Sequence, residues 1–292
     1  MEFCGGHTHA IFRFGLPDLL PAGVRMIHGP GCPVCVLPAG RVDLAVELAT
    51  SDLGLTLCTY GDLLRVPGSG GRSLFSARAA GADVRMVYAV TDALEIARQE
   101  PRRQVVFVAI GFETTTPPTA VAIKQAQAEG LKNFSVLCNH VLTPAAIANI
   151  LESPQVRELG GVPLDGFIGP AHVSAVIGTQ PYEHFAAEYR KPVVIAGFEP
   201  LDVLQAILML INQLNAGRAE VENQYTRVVT RQGNRKAQAL VAEVFELRKR
   251  FEWRGLGQVP YSGLRINAAH AELDAERRFS LSDRVVPEPP GC

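Results

Sequence analysis

Residues 104–118 read QVVFVAIGFETTTPP. Six of the first seven residues are apolar, and most of these are β-branched or aromatic, which predicts a strand buried on both faces. The glycine and threonines that follow predict a loop, and the two prolines are typical of the first turn of a helix. A buried strand, a loop and a helix start in one stretch indicate an α/β fold with a mostly parallel sheet.

The same alternation recurs along the chain. Short apolar runs predict further strands at 25–28, 53–60, 84–89, 134–139, 166–168 and 192–196. Helical spacing predicts helices at 41–49, 92–99 and 119–129, and a longer helix beginning at Leu201. One stripe of that last helix is expected to face the core, and it consists of Leu201, Leu204, Ile207, Leu208, Ile211 and Leu214.

This pattern predicts two Rossmann-like parallel-sheet domains facing a cleft, followed by a small C-terminal α/β remnant. The expected boundaries are 1–100 for an α/β domain with the cysteine motifs, 101–220 for a second α/β domain and 221–292 for the remnant. Ligands gather at the carboxyl ends of parallel strands, so the loops at those ends are expected to line the cleft.

Composition narrows the class of protein. The chain has 292 residues, 47% of them hydrophobic, and its 28 basic residues balance 29 acidic ones without a block of like charge. This balance argues against nucleic acid and anionic membranes as partners. The apolar run at 206–211 is far shorter than the roughly 18 residues of a membrane span. Six unevenly spread cysteines do not form a disulfide framework, so we expect a cytoplasmic protein.

A Cys-x-x-Cys stands in residues 28–35, HGPGCPVC, directly after a predicted strand. Two thiols this close either switch between dithiol and disulfide or bind a soft metal. A closed structural zinc site usually needs four ligands, commonly as two pairs, whereas here the pair Cys32 and Cys35 has a lone Cys4 with His7 or His9 beside it; redox chemistry is therefore the first interpretation and a closed zinc site the second. The remaining internal cysteines, Cys58 and Cys138, end apolar strands and are expected to pack in the core.

The loop at 111–118 allows two interpretations. Thr115 or Thr116 can cap the following helix with a proline in its first turn. Glu113 can instead take part in a site at the strand end, and the two roles are compatible. The loop is not a Walker loop, because no Gly-Lys-Ser/Thr follows and a carboxylate repels phosphate.

Five motifs in a fixed order resemble those of the HypD family of [NiFe]-hydrogenase maturation factors. They are CGGHTHAI at 4–11, GPGCPVC at 29–35, YGD at 60–62 with RVPG at 65–68, GFETT at 111–115 and GPAHV at 169–173. The resemblance runs from end to end of the chain. It implies a cytoplasmic scaffold on which, with the small partner HypC, an iron centre carrying two cyanides and one carbonyl is built before delivery to the hydrogenase large subunit. HypE supplies the cyanide, and HypF acts upstream of HypE.

The resemblance also implies roles for residues. Cys4 is expected to bind the transient Fe(CN)2CO centre, and Gly5, Gly6 and His7 of the same motif are expected to help hold it. Cys32 and Cys35 are expected to form the redox-active dithiol.

Two further groups of residues are assigned to the site by their chemistry. His9 and His172 are proton carriers or donors near the iron, and Asp62, Glu113 and Thr114 are orienting groups.

This sequence departs from the family pattern at both of its ends. Family members carry a longer segment before the first motif and a cysteine-rich tail that holds a [4Fe-4S] cluster. This chain has Met1 to Phe3 before its first motif and one cysteine, Cys292, at its end, whereas a cubane needs four protein thiolates. We therefore expect no [4Fe-4S] cluster here. Two alternatives to the family function stay open: a freestanding thiol-disulfide oxidoreductase, or a zinc-dependent enzyme.

Overall fold

The computed structural model describes residues 1–153 and 163–288, and Cys292 lies outside them. The chain divides into two compact units. Unit 1 comprises Met1–Cys32 and Thr143–Gln238, and unit 2 comprises Pro33–Leu142 and Ala239–Cys292. No helix of the described residues is long and apolar enough to cross a membrane.

The helices of the described residues are α1 (Gly5–Arg13), α2 (Ala39–Ala49), α3 (Leu74–Ala79), α4 (Val90–Gln99), α5 (Thr116–Ala128), α6 (Thr143–Glu152), α7 (Ala171–Ile177), α8 (Glu183–Tyr189), α9 (Pro200–Asn215), α10 (Arg235–Val244) and α11 (Ala275–Arg278). The strands are β1 (Thr56–Thr59), β2 (Val84–Met86), β3 (Val105–Gly111), β4 (Phe134–His140), β5 (Phe167–Gly169), β6 (Val193–Ile195), β7 (Val221–Asn223), β8 (Phe245–Leu247), β9 (Arg250–Trp253), β10 (Gly257–Pro260) and β11 (Leu264–Ile266).

Unit 2 is built on a four-stranded parallel sheet in the order β2-β1-β3-β4. Every residue of β3 is buried, because successive side chains point to opposite faces and both faces are covered. Phe107 and Ala109 pack into one core cluster with residues of α4 and α5, whereas Val106 and Val108 pack into another with residues of α2 and α3. This two-sided burial explains the unbroken apolar run in the sequence.

A buried ionic network joins the C-terminal part of unit 2 to its sheet. The guanidinium groups of Arg41 and Arg248, both nearly inaccessible, donate to the same carboxylate oxygen of Glu276. Arg41 also donates to the main-chain oxygen of Cys138 in β4, at 3.0 Å. Burial opposes ionisation of Glu276, but the two positive charges outweigh it and lower its pKa. The antiparallel pairs β8–β11 and β9–β10 lie in this part of the chain.

Unit 1 contains a parallel sheet in the order β5-β6-β7. The segment before α1 extends it, because Glu2 forms parallel bridges to Ile168 of β5 on one side and to His28 on the other. Two main-chain hydrogen bonds hold this segment in the sheet. The Ile168 nitrogen donates to the Met1 oxygen at 2.9 Å, and the Gly29 nitrogen donates to the Glu2 oxygen at 2.7 Å. Helices α1 and α9 contribute to the core cluster on one face of the sheet.

The structure confirms the predicted α/β class with parallel sheets. Six of the seven predicted strands overlap an observed strand, whereas 25–28 is present only as an isolated bridge at His28. Cys58 and Cys138 are fully buried, as expected. The two units do not divide at residues 100 and 220, because β3 and β4 pair into the sheet that contains β1 and β2.

The expectation for the stripe of α9 is partly wrong. Leu201 and Leu208 are 74% and 57% exposed, while Val203, Ala206 and Leu210 are buried. The helix is apolar over a wider arc than the sheet covers, so periodicity found the helix but not the face that packs.

Gly31 provides a test of how closely its loop packs against the segment that extends the sheet of unit 1. A Cβ at Gly31 would lie 2.5 Å from the carbonyl carbon of Phe3 and 2.8 Å from the nitrogen of Cys4, and both are backbone atoms that cannot give way cheaply. We expect Gly31→Ala to lower the free energy of unfolding by about 1–3 kcal/mol. The measurement is urea denaturation followed by circular dichroism.

Gly23→Ala is the matched control, since nothing lies within 4 Å of a Cβ at that position. It should be neutral or slightly stabilising. Equal stability of the two variants would contradict close packing of the Gly31 loop on residues 3–4.

Candidate functional site

Cys4 directly follows residues 1–3, which extend the parallel sheet of unit 1, and it is the N-cap residue of α1. Its backbone is extended (φ −140°, ψ 128°), so the chain turns from strand to helix at this residue. Its side chain is half-buried. The sulfur therefore occupies the edge of a parallel sheet at which α/β proteins bind ligands, at the start of a helix.

A buried carboxylate orients the residues around Cys4. Glu2 is 1% exposed, and one of its oxygens accepts a hydrogen bond from the Cys4 backbone nitrogen. Its other oxygen accepts from the Thr8 hydroxyl and from Nδ1 of His28, the latter at 2.7 Å. The carboxylate thus connects the first turn of α1 to the loop that carries the Cys-x-x-Cys. Sequence reasoning missed this role, because a single glutamate outside any recognisable pattern is indistinguishable from a surface residue.

Burial raises the pKa of the Cys4 thiol. The backbone N–H groups of Gly6 and His7, at the free end of α1, act in the opposite direction, and the negative charge of Glu2 adds to the rise. The net shift is upward, so the thiol form predominates at neutral pH. A metal that binds this sulfur must displace its proton, while the N–H groups of the helix end stabilise the resulting negative charge.

Two histidines flank Phe198 in the loop that follows β6. His7 is buried, its Nε2 donates to the Ala196 oxygen at 2.9 Å, and its ring centre lies 5.0 Å from that of Phe198. Its Nδ1 has no hydrogen-bond partner among the described residues, and burial lowers its pKa, so this nitrogen carries a lone pair. His172 is exposed, its ring centre lies 4.2 Å from that of Phe198 with the two planes tilted by 46°, and burial of part of its ring lowers its pKa.

The glycines of the first motif make room for these rings. A Cβ at Gly6 would lie 2.5 Å from a ring carbon of Phe198. Gly5 and Gly6 are both exposed, which leaves the approach to the Cys4 side of α1 uncovered within unit 1. His9, on the same helix, is exposed, and Cys32 is half-buried.

Unit 2 holds the other predicted site residues. Cys35 and Asp62 are exposed and line one cavity. Glu113 is buried and Thr114 half-buried in the loop after β3. The helix-capping prediction is confirmed in position, because Thr115 is the N-cap residue of α5 and a proline lies in the first turn. Its hydroxyl, however, donates back to the Phe112 oxygen at 3.2 Å instead of accepting from the helix.

His140 is a residue that sequence reasoning missed. It ends β4, is fully buried and lies with its Nε2 3.0 Å from the hydroxyl of Thr119. Burial lowers its pKa to about 4, so it stays neutral at physiological pH. The only signal in the sequence was its position directly after a predicted strand, next to the strand that leads to Glu113.

The predicted residues thus fall into two groups. Unit 1 holds Cys4, Gly5, Gly6, His7, His9, Cys32 and His172, and unit 2 holds Cys35, Asp62, Glu113 and Thr114. Within residues 1–153 and 163–288, no group of three or more His, Cys, Asp or Glu side chains is arranged to hold a metal ion.

Comparison with known proteins gives a consistent family. A family model named HypD and described as "Hydrogenase formation hypA family" matches residues 1–292. The chain is 68% identical over 292 residues to "Hydrogenase maturation factor HypD" of Cupriavidus necator, covering 100% of this chain and 77% of that protein. It is 69% identical to the protein of the same name from Rhizobium leguminosarum, at 100% and 76% coverage. The Escherichia coli protein is 49% identical, at 99% and 76% coverage.

The raised pKa of Cys4 predicts a specific pH profile. The rate of Cys4 alkylation by iodoacetamide should rise with a midpoint above that of an ordinary cysteine peptide, because only the thiolate reacts. Removing the negative charge in Glu2→Gln should move the midpoint down. Mass spectrometry of the peptide that contains Cys4 gives the rate at each pH.

Glu220→Gln is the control, because this carboxylate is exposed and belongs to the same unit. Its midpoint should equal that of the wild type. A wild-type midpoint at or below the value of the peptide would show that burial does not govern this thiol.

Proposed function

Because this chain belongs to the HypD family and so takes part in hydrogenase formation, we propose that it is the scaffold on which an iron centre with two cyanides and one carbonyl is assembled. It would act in the cytoplasm with a HypC-type protein and with HypE, for which HypF works upstream, before the iron passes to the hydrogenase large subunit. The iron centre is cargo in this proposal rather than a resident cofactor, and no [4Fe-4S] cluster is assigned to the chain.

The position of Cys4 is the single observation that carries this proposal. It combines a half-buried thiol, two helix-end N–H groups near its sulfur and uncovered glycines beside it. A permanent metal site would need more protein ligands than the described residues supply. An iron that already carries three diatomic ligands needs few protein ligands, and a partner can contribute to the rest. One cysteine at an accessible edge suits such cargo, which must later leave.

The surrounding groups have supporting roles in this proposal. Binding of iron to Cys4 releases the thiol proton, and we assign its transfer to solvent to His172 or His9, both of which are exposed. The buried His7 stays neutral, and its ring, fixed by the Ala196 oxygen, shapes the floor of the site. Glu2 positions Cys4 through the hydrogen bond from its backbone nitrogen.

Cys32 and Cys35 are the electron source or gate of the proposed function. A dithiol supplies two electrons when it closes to a disulfide. Their surroundings support this role, because Cys32 is half-buried and Cys35 is exposed, whereas Cys58 and Cys138 are buried with pKa values raised by burial to about 12 and about 11. Because a raised pKa leaves little thiolate at neutral pH, the thiols of Cys58 and Cys138 are unreactive. External thiols would reduce the Cys32–Cys35 disulfide by thiol-disulfide exchange.

The first test removes the iron ligand. Cys4→Ala should abolish iron retention and hydrogenase maturation while the fold is kept, because it removes the thiolate that binds iron in this proposal and leaves the backbone of α1 intact. Infrared spectra of the anaerobically purified complex with the HypC-type partner report the cyanide and carbonyl stretches. Cys58→Ala, a cysteine change at a buried strand position, should keep them. Cyanide and carbonyl bands in Cys4→Ala would show that another residue binds the iron.

The second test concerns the dithiol. Mild oxidation should remove two titratable thiols, those of Cys32 and Cys35, and a thioredoxin-like reductant should restore both. Cys35→Ser should lose no pair of thiols under the same treatment, while Cys58→Ala should behave like the wild type. If Cys32 and Cys35 of the wild type both remain titratable after mild oxidation, before any reductant is added, the redox role is refuted.

A further inference from the structure

A cavity in unit 2 opens beside Cys35. Its volume is about 690 Å³, within the range of small-molecule sites. Its walls are mainly apolar, with Val34, Val66 and Pro67 among the lining residues. The exposed thiol of Cys35 therefore stands next to a space in which a small molecule fits, rather than on a flat surface.

Two opposite charges line this cavity without pairing with each other. Asp62 and Arg65 belong to one short 3-10 turn, Gly61–Arg65, and both are exposed. Among the described residues neither makes a salt bridge, and the Arg65 guanidinium instead lies 5.6 Å from the ring centre of Phe75. Both charges are thus available to a ligand.

The other charged pair in the cavity is already satisfied. Arg254 is nearly buried, and its Nε lies 2.8 Å from a carboxylate oxygen of Glu288. The second oxygen of Glu288 accepts from the Ala39 backbone nitrogen at the start of α2, at 3.0 Å. This pair forms a neutral wall, so the charge selectivity of the cavity depends on Asp62 and Arg65.

We propose that this cavity binds a small disulfide or thiol of the amino-acid type, with its carboxylate at Arg65, its ammonium at Asp62 and its sulfur at Cys35. The inference rests on the proposed redox function and names the class of molecule that exchanges with the dithiol. A zwitterion matches two unpaired opposite charges, whereas a simple anion or cation meets one attractive and one repulsive group. The carbon chain of such a molecule contacts the apolar wall.

Thiol-disulfide exchange at Cys35 forms a mixed disulfide with the bound molecule. The Cys35 thiolate attacks one sulfur of a disulfide R–S–S–R, and a bond forms between the Cys35 sulfur and that sulfur. The R–S–S–R bond breaks, and its electron pair leaves with R–S⁻. The leaving thiolate takes up the proton that Cys35 released. Cys35 is oxidised to a mixed disulfide, and one half of R–S–S–R is reduced to a thiol.

The experiment measures mixed-disulfide formation at Cys35 by mass spectrometry with four probes. These are L-cystine, which is zwitterionic at each half, dithiodiglycolate, which carries only carboxylates, cystamine, which carries only ammonium groups, and the neutral hydroxyethyl disulfide. Every rate is divided by the rate of the same variant with the neutral probe. A Cys32→Ser background prevents the neighbouring cysteine from displacing the product.

We expect L-cystine to give the highest ratio in the parent protein. Arg65→Gln should lower the ratios of the two carboxylate-bearing probes, and Asp62→Asn should lower those of the two ammonium-bearing probes. Each loss should be about two- to fivefold, as for exposed ion pairs, and should shrink in high salt. Arg65→Lys should restore the carboxylate effect, which loss of structure would not allow. Arg78→Gln, an exposed arginine outside the cavity lining, should match the parent protein.

Two outcomes would overturn the inference. One is the absence of a preference for L-cystine in the parent protein. The other is an equal effect of Arg65→Gln and Asp62→Asn on all charged probes. Either result would leave the redox function standing if Cys32 and Cys35 still form a reversible disulfide, so failure of the inference and failure of the proposed function remain distinguishable.

Discussion

The carboxylate of Glu2 is the interaction on which the candidate site depends. A carboxylate that is 1% exposed is tolerated only when donors satisfy it, and here the Cys4 nitrogen, the Thr8 hydroxyl and the His28 ring do so. Those donors belong to the start of α1 and to the loop before the Cys-x-x-Cys. One buried charge thus fixes two motifs that lie far apart in the sequence, and removing it would leave several donors without partners.

The backbone around Glu2 explains why this arrangement is rigid. Its bridges to Ile168 and His28 join residues 1–3 to a parallel sheet. Gly31 lies so close to Phe3 that no side chain fits at position 31. The helix that begins at Cys4 therefore starts from a fixed point. The proposed function would benefit from this preorganisation, because the Cys4 sulfur would not have to be ordered when iron binds.

Burial separates the cysteines by chemistry. Cys58 and Cys138 lie inside the sheet of unit 2, where desolvation raises their pKa values to about 12 and about 11 and makes them small hydrophobic side chains. Cys4 is half-buried and faces helix-end N–H groups, so it remains a thiol that a metal can deprotonate. Cys35 is exposed beside a cavity with two unpaired charges. The surroundings of each cysteine thus set how readily its thiol can react.

The sequence by itself determined the α/β class, most strands of the two sheets and the motifs around Cys4 and Cys32, because these follow from local hydrophobic patterns and from neighbouring residues. Only the tertiary structure decided that residues 1–3 join a sheet, that Glu2 is buried and that His140 lies beside the loop of Glu113. It also decided that Leu201 and Leu208 face outward although they continue an apolar stripe. These features depend on contacts between residues distant in the chain, and side-chain periodicity shows which helix is amphipathic but not how much of its apolar arc a neighbour covers.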